Sequence, residues 1–79
     1  MKSNQLDTTI RKNIQANIAK NRKKSGLSQA ELAKKIGVKN STVSSWERGA
    51  NAPDIETLFG ICRLFNVTVA DMFGCDTVN

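Results

Sequence analysis

Short polar side chains recur at helical spacing between residues 40 and 48. On a helix, Val43, Trp46 and Glu47 are spaced i, i+3 and i+4 and would share one face. The opposite face would then carry Ser41, Ser44, Ser45 and Arg48. Hydroxyl groups can donate and accept hydrogen bonds, but they are weak nucleophiles without a neighbouring base. The chemistry predicted for this segment is therefore recognition through hydrogen bonds.

The residue types that the sequence lacks exclude most catalytic and metal chemistry. There is no histidine and no tyrosine, and the two cysteines stand alone. Zinc sites, haem ligation and Ser-His or Cys-His nucleophile pairs are therefore poor hypotheses. The carboxylates of Asp54 and Glu56 are better explained as residues that begin a helix than as a catalytic pair. We expect no enzymatic activity, no metal and no cofactor.

Charge is unevenly distributed along the chain, whose net charge is +5. Residues 1–39 contain ten Lys and Arg against two acidic residues, whereas residues 40–79 contain two against five. Clustered cations suit phosphate binding, because each neutralised phosphate releases condensed counterions. A solvated basic face without a ligand fits the charge equally well. Geometry must decide between these two interpretations.

The length of 79 residues and an apolar fraction of 39% indicate one small soluble domain. We expect a flexible segment over residues 1–7, a domain over residues 8–74 and a flexible tail over residues 75–79. No apolar run approaches the length of a membrane span, and the first residues lack the apolar core of a signal peptide. A cytoplasmic protein without membrane contact is expected, with no appended small-molecule ligand domain.

Residues that begin and end helices predict an all-α chain with five helices. Ser28 and Glu31 have the spacing of a capping box, Asp54 can begin a fourth helix, and Thr68 with Asp71 can begin a fifth. No sustained alternation of apolar and polar residues indicates a strand. The predicted helices cover residues 8–24, 28 to 35 or 36, 40–48, 55–65 and 69–73.

Apolar spacing predicts which helix faces form the core. Ile10, Ile14 and Ile18 form a stripe on the first helix, which also suits a membrane surface, but its narrow width and lack of aromatic residues favour core packing. The predicted buried side of the fourth helix consists of Ile55, Leu58, Phe59, Cys62 and Phe65. Cys62 and Cys75 are expected to be free thiols.

Only three residues, Gly37, Val38 and Lys39, connect the second and third predicted helices. Gly37 suits a left-handed conformation that ends one helix, and Ala33 leaves room for the next helix to approach closely. Two helices joined by so short a turn have helix-turn-helix geometry. The small polar face of the third helix could then enter a major groove about 12 Å wide.

The residues of this region resemble the Cro and phage-repressor type of helix-turn-helix domain, the XRE family. The matching strings are LSQAELA (residues 27–33), IGV (36–38) and STVSSWERG (41–49), followed by Pro53, ETL (56–58) and NV (66–67). The resemblance covers about residues 10–73. It implies a compact five-helix, lambda-repressor-like DNA-binding domain whose helices 2 and 3 form the helix-turn-helix.

The resemblance also implies roles for individual residues. Four residues match positions on or beside the base-reading face: Asn40, Ser41, Ser44 and Ser45. Expected phosphate contacts are Gln29, Lys39, Thr42, Arg48 and Arg22, supported by the basic N-terminal half. Arg22 and Glu47 match a buried or half-buried ion pair that ties the first helix to the third. Gln29 is also expected to brace the recognition helix.

Two departures from the family pattern concern the start of the third helix and the loop after it. Lys39 stands where Ser or Thr usually caps the helix, and a lysine side chain cannot accept the capping hydrogen bond. Either Asn40 caps the helix instead of reading a base, or the helix starts without a cap and Lys39 contacts a phosphate. Residues 50–52 lack the basic side chains common in this loop, so few phosphate contacts are expected there.

The implied function is that of a sequence-specific, double-stranded-DNA-binding transcriptional repressor, acting as a homodimer on a palindromic operator. The dimer contact is expected at Val69, Met72 and Phe73, although core packing explains Val69 and Met72 equally well. The alternative is an antitoxin or adaptor whose main partner is another protein, with auxiliary DNA binding. The acidic surface around Asp54, Glu56, Asp71 and Asp76 could serve such a partner.

Overall fold

A computed structural model describes the backbone of residues 2–74 and the side chains of residues 9–74. The chain forms five α-helices: α1 (Lys2–Lys24), α2 (Gln29–Ile36), α3 (Asn40–Arg48), α4 (Ile55–Phe65) and α5 (Val69–Phe73). Between residues 2 and 74 there is no β-strand. The predicted all-α class is confirmed, and the predicted bounds of α2 to α5 hold to within one residue.

The start of α1 differs from the prediction. The helix begins at Lys2 and not near residue 8, so the segment expected to be flexible is helical from residue 2. No glycine or proline lies between residues 2 and 8, and nothing in the sequence therefore stops the helix from extending towards the N-terminus. The predicted flexible tail over residues 75–79, including Cys75, lies outside the described residues.

Side-chain caps define where three of the helices begin. The Ser28 hydroxyl accepts a hydrogen bond from the Glu31 N–H (3.0 Å), while a Glu31 carboxylate oxygen accepts one from the Ser28 N–H (2.8 Å). Thr68 and Asp71 form the same reciprocal pair at α5, and Asp54 caps α4. These hydrogen bonds satisfy backbone N–H groups that have no partner within the helix. The predicted caps are confirmed.

One apolar core joins all five helices. Its fully or nearly buried members are Ile14, Ile18, Leu32, Ala33, Val43, Trp46, Leu58, Ile61, Cys62 and Met72. Ile10 and Phe65 pack against this core, so the predicted stripe on α1 is confirmed.

The predicted core side of α4 was partly wrong. Ile55 and Phe59 are 61% and 55% exposed, whereas Ile61, absent from the prediction, is fully buried. The α4 sequence is apolar on more than one side, so residues 55, 58, 59, 62 and residues 58, 61, 62, 65 both have helical spacing. Packing against α1, α2 and α5 selects the second set.

Polar side chains of α1 hold the ends of two other helices. The Asn13 side-chain amide donates to the Phe73 carbonyl (2.8 Å), and that of Asn17 donates to the Met72 carbonyl (2.9 Å). On the neighbouring side of α1, the Gln15 amide donates to the Glu47 carbonyl (2.9 Å) near the end of α3. The last carbonyls of a helix lack partners within it, so α1 fixes both α5 and α3 by satisfying them.

The turn between α2 and α3 has the predicted conformation. Gly37 lies in the left-handed region (φ 88°, ψ 33°), and its N–H donates to the Ala33 carbonyl (2.8 Å). Ala33 is 3% exposed within the core. A side chain at residue 37 would be strained at this positive φ, which explains why glycine ends α2 here. The three-residue turn joins α2 to α3, and the two helices pack against each other.

Candidate nucleic-acid interface

The polar face of α3 points away from the core. Val43 and Trp46 are buried (0% and 4% exposed) and anchor the opposite side of the helix. Ser41 is exposed, and Ser44 and Ser45 are half-buried. The hydroxyl groups of these serines therefore lie along one outer face, in the orientation that the sequence predicted. Short side chains on this face leave room for a large surface to approach the helix closely.

Arg48 extends along this face from the C-terminal end of α3. Its guanidinium donates to the Ser44 hydroxyl through Nε and to the Ser45 hydroxyl through Nη2, each at 3.3 Å. Both hydrogen bonds are exposed and near the long end of the accepted range. The bonds from Arg48 to the serine row, which consists of Ser41, Ser44 and Ser45, are therefore weak. The guanidinium can exchange them for bonds to stronger acceptors such as phosphate oxygens.

The N-terminal end of α3 has no side-chain cap. Lys39 occupies the N-cap position with an extended backbone (φ −78°, ψ 152°) and forms no capping hydrogen bond. Asn40 is the first residue of the helix and is exposed, as is Lys39. Of the two alternatives that the sequence left open, the structure has the uncapped start. The side chains of Lys39 and Asn40 both remain available at the end of the serine face.

An ion pair ties α1 to the inner side of α3, as the sequence predicted. The Arg22 guanidinium donates to both carboxylate oxygens of Glu47, through Nε at 2.6 Å and through Nη2 at 3.0 Å. The two side chains are 11% and 8% exposed. The Gln29 amide donates to the same carboxylate at 2.9 Å, so α2 joins the network. Bidentate geometry with an additional donor is the arrangement in which a buried charge is fully satisfied.

The network keeps Glu47 ionised. Burial by itself raises the pKa of the Glu47 carboxyl, but the hydrogen bonds from Arg22 and Gln29 and the charges of Arg22 and Lys23 outweigh burial and leave the pKa below its ordinary value. Three elements, α1, α2 and α3, therefore meet at one charged group. The bracing contact predicted for Gln29 is part of this network.

Arg22 does not fit the phosphate contact that the resemblance implied. Besides its two bonds to Glu47, its guanidinium donates through Nη1 to the Leu27 carbonyl at 2.8 Å. All three guanidinium nitrogens thus have partners inside the protein, and the side chain is 11% exposed. We therefore assign Arg22 to the internal network alone. Gln29 and Thr42 are half-buried, whereas Lys39 is exposed.

The expected dimer residues differ in their exposure. Met72 is completely buried in the core of its own chain, so the expectation that it contacts a second copy is contradicted. Val69 and Phe73 are partly buried against the same core. The large apolar side chains that are exposed, among those described, lie on α4: Ile55, Phe59 and Leu64. Ile55 and Phe59 are one helical turn apart and form a single apolar patch, here called the α4 patch.

A pocket that the sequence did not predict lies where α1 passes the C-terminal end of α3. Its volume is about 230 Å³, and its lining includes Arg11, Lys12, Gln15, Arg48 and Asn51. A helical repeat places Arg11 and Gln15 on the same face of α1 as Arg22. Arg22 was already predicted to contact α3. The helical spacing of Arg11 and Gln15 from Arg22 could therefore have indicated that these residues also lie near α3.

Comparison with known proteins places this geometry in a family. The family model described as helix-turn-helix matches residues 18–72, which include α2, the short turn and α3. The chain belongs to this XRE-type helix-turn-helix family. Curated proteins that it resembles carry the name HTH-type transcriptional regulator. The fold and the resemblance inferred from the sequence are confirmed.

Relatives of this helix-turn-helix protein include both regulators and antitoxins. It is 40% identical over 52 residues to an uncharacterised HTH-type transcriptional regulator of Archaeoglobus fulgidus, covering 66% of this chain and 74% of that protein. It is 36% identical over 58 residues to the HTH-type transcriptional regulator ImmR of Bacillus subtilis, covering 73% of this chain and 46% of that protein. It is also 40% identical over 58 residues to the antitoxin HipB of Escherichia coli, covering 73% of this chain and 62% of that protein.

No solved structure matches this helix-turn-helix chain. Within the part of the chain that the structure describes, none of the helices has the length and apolar character needed to span a membrane.

Proposed function

We propose that this helix-turn-helix protein is a sequence-specific transcriptional repressor that reads the major groove of a palindromic operator with α3. The observation that supports this most directly is the outward row of Ser41, Ser44 and Ser45 on a helix whose other side is anchored by Val43 and Trp46. A rigid helix with short donors and acceptors on its free side can approach base edges without steric obstruction.

Each end of α3 contributes to the proposed contact. Asn40, Ser41, Ser44 and Ser45 contact base edges, whereas Lys39, Thr42 and Arg48 contact phosphates on either side of the groove. Gln29 contributes a phosphate contact from α2. Phosphate contacts fix the register of the helix on the duplex, and base contacts supply the sequence preference. The internal network of Arg22 and Glu47 keeps the angle between α1 and α3 constant while this occurs.

A palindromic operator requires two copies of the chain. Two α3 helices about 34 Å apart would enter successive major grooves on one side of the duplex. We propose that the copies meet through the α4 patch, because Ile55 and Phe59 remain more than half exposed in the single chain. A two-fold axis places the same apolar surface on both partners, so one patch can cover the other. Val69 and Phe73, partly buried, stay candidates at the edge of this contact.

Selection of binding sites from a random pool of duplexes tests the proposal. One enriched palindrome is expected, and the binding constant for it should fall steeply as salt concentration rises. A duplex of the same composition in scrambled order serves as the control for sequence preference. Equal affinity for the enriched and the scrambled duplex would contradict sequence-specific reading.

A second candidate function is that of an antitoxin or adaptor. The similar protein HipB of Escherichia coli carries the name antitoxin, which favours a protein partner in addition to DNA. Asp54, Glu56 and Asp71 are exposed and could contact a basic partner. Copurification with a small basic protein from the source cells would favour this function. A homodimer that binds its operator tightly without such a protein would favour the first.

A further inference from the structure

The pocket between α1 and the end of α3 has the composition of an anion site. Arg11, Lys12 and Arg48 each contribute a cationic side chain to its lining, and Gln15 and Asn51 contribute amides. Among residues 9–74, no carboxylate lines the pocket. Three positive charges around one concave surface, with no carboxylate of residues 9–74 among its lining, attract an anionic group.

One wall of the pocket is fixed before any ligand arrives. The Gln15 amide is held by its hydrogen bond to the Glu47 carbonyl, and its oxygen lies directly against Gly49. Gly49 has a positive φ of 80°, and a Cβ there would be 2.6 Å from the Gln15 oxygen. The backbone at residue 49 therefore approaches α1 as closely as it does because it lacks a side chain. This contact holds the two sides of the pocket at a constant separation.

The pocket adjoins the face of α3 that carries the serine row. Arg48 lines the pocket and also donates to the hydroxyl groups of Ser44 and Ser45. An anion in the pocket would therefore be one side chain away from the proposed base-reading groups. This proximity favours an anion that belongs to the same ligand as the bases, which is the phosphate backbone of a duplex.

We propose that the pocket binds one backbone phosphate of the operator, held by Arg11 and Lys12 of α1 together with Arg48. This inference rests on the proposed DNA-binding function and extends it to α1. Arg11 and Lys12 precede residues 18–72, the part of the chain that the family model matches. The proposed contact thus includes residues outside the matched helix-turn-helix region. Free inorganic phosphate shares the same chemistry and is the alternative occupant.

The double variant Arg11→Ala/Lys12→Ala tests the site, with Lys20→Ala/Lys24→Ala as the matched control. The control removes the same charge from the same helix, but Lys20 and Lys24 line a separate groove with Asp71 of α5. Affinity for the enriched duplex is measured at several salt concentrations. We expect Arg11→Ala/Lys12→Ala to lower affinity about tenfold and to reduce the slope of log K against log salt by about 1. The control variant should change the affinity and the salt slope much less.

Equal changes in the two double variants would overturn the proposal, because they would reflect total charge and not the pocket. In a parallel experiment, inorganic phosphate is added to the free protein and followed through the fluorescence of Trp46, which lines the pocket and is the sole tryptophan. The double variant Arg11→Ala/Lys12→Ala could abolish phosphate binding and leave the affinity for the duplex unchanged. That result would make the pocket a site for free anions and would overturn the proposed contact with the DNA backbone. Failure to enrich any duplex contradicts the proposed function, whereas an enriched duplex bound normally by Arg11→Ala/Lys12→Ala contradicts only the phosphate pocket.

Discussion

The third and fourth helices are of similar length, yet they present opposite surfaces. α3 buries its large apolar residues, Val43 and Trp46, and exposes hydroxyl groups, whereas α4 leaves Ile55 and Phe59 more than half exposed. Both helices contribute to the same core, so burial alone does not explain the difference. The surface of α3 suits a polar, charged ligand, and the surface of α4 suits an apolar one. The chain thus offers two separate faces for two kinds of partner.

The largest expected effect concerns the support of α3. Glu47→Ala should lower the free energy of unfolding by about 3 to 5 kcal/mol, because it leaves the largely buried Arg22 guanidinium without its partner. Glu56→Ala, which removes an exposed carboxylate from α4, is the control and should change stability by less than about 0.5 kcal/mol. The measurement is thermal or denaturant unfolding. An unchanged melting temperature in Glu47→Ala would show that the ion pair does not hold α3.

Acid should weaken the same support. The pKa of Glu47 is lower in the folded chain than its ordinary value, so the folded state binds this proton less readily than the unfolded state. Its stabilising contribution is therefore complete above the ordinary pKa of glutamate and is lost as pH falls through the lower, folded value. The difference in unfolding free energy between wild type and Glu47→Gln should shrink over that range. Other carboxyl groups with lowered pKa, such as Asp54 and Asp71, are present in both proteins and cancel.

The second effect concerns the α4 patch. The double variant Ile55→Ser/Phe59→Ser should weaken self-association by about 2 to 3 kcal/mol in total, because it removes apolar surface that the contact would bury. Its monomer should remain folded, because both side chains already lie largely outside the core. Leu64→Ser, which changes an exposed apolar residue on another side of α4, is the control. Sedimentation equilibrium that finds the double variant as dimeric as wild type would remove α4 from the interface.

The smallest effect concerns the outer face of α3. Ser45→Ala should cost about 1 kcal/mol at one operator position, because it removes one hydrogen bond to a base, and should relax the preference there. Lys39→Ala is the contrasting variant, since it should weaken binding to every sequence and reduce the salt slope by about 1. Affinities for the operator and for single-base variants distinguish the two patterns. A uniform loss in Ser45→Ala would mean that this serine contacts the backbone.

Local chemistry explains why the helix-turn-helix could be predicted from sequence. The capping pair of Ser28 and Glu31 and the left-handed Gly37 act within a few residues of each other. The start and the end of α2 can therefore be recognised from neighbouring residues, without information about the rest of the chain. The same holds for Asp54 and Thr68, which begin α4 and α5.

The rotation of α4 about its axis could not be predicted in the same way. Residues 55–65 are apolar on more than one side, and the buried side depends on neighbours that are distant in sequence. Met72 presented the same difficulty, because a five-residue helix with apolar side chains on several sides gives no periodic signal. Burial in both cases is decided by tertiary packing and not by local preference.

The functions of the polar residues on α1 also could not be predicted from the sequence. Asn13, Gln15 and Asn17 have the character of solvent-exposed helix residues, but each satisfies carbonyls at the end of another helix. Arg22 could be matched to two family roles, and only the positions of Glu47 and Leu27 show that its donors are used internally. The pocket beside Gln15 exists only once α1 and α3 are packed together.

The uncapped start of α3 has a consequence for its backbone. In α2, α4 and α5 the N-cap side chain accepts a hydrogen bond from the third helical N–H, whereas in α3 the corresponding N–H of Thr42 has only the backbone carbonyl of Lys39 as its partner (2.9 Å). Hydrogen exchange with deuterated solvent should therefore be faster at the start of α3 than at the starts of those three helices. The start of α3, which lies in the proposed interface, thus has the least side-chain support of these four helix starts and can adjust most easily to a bound partner.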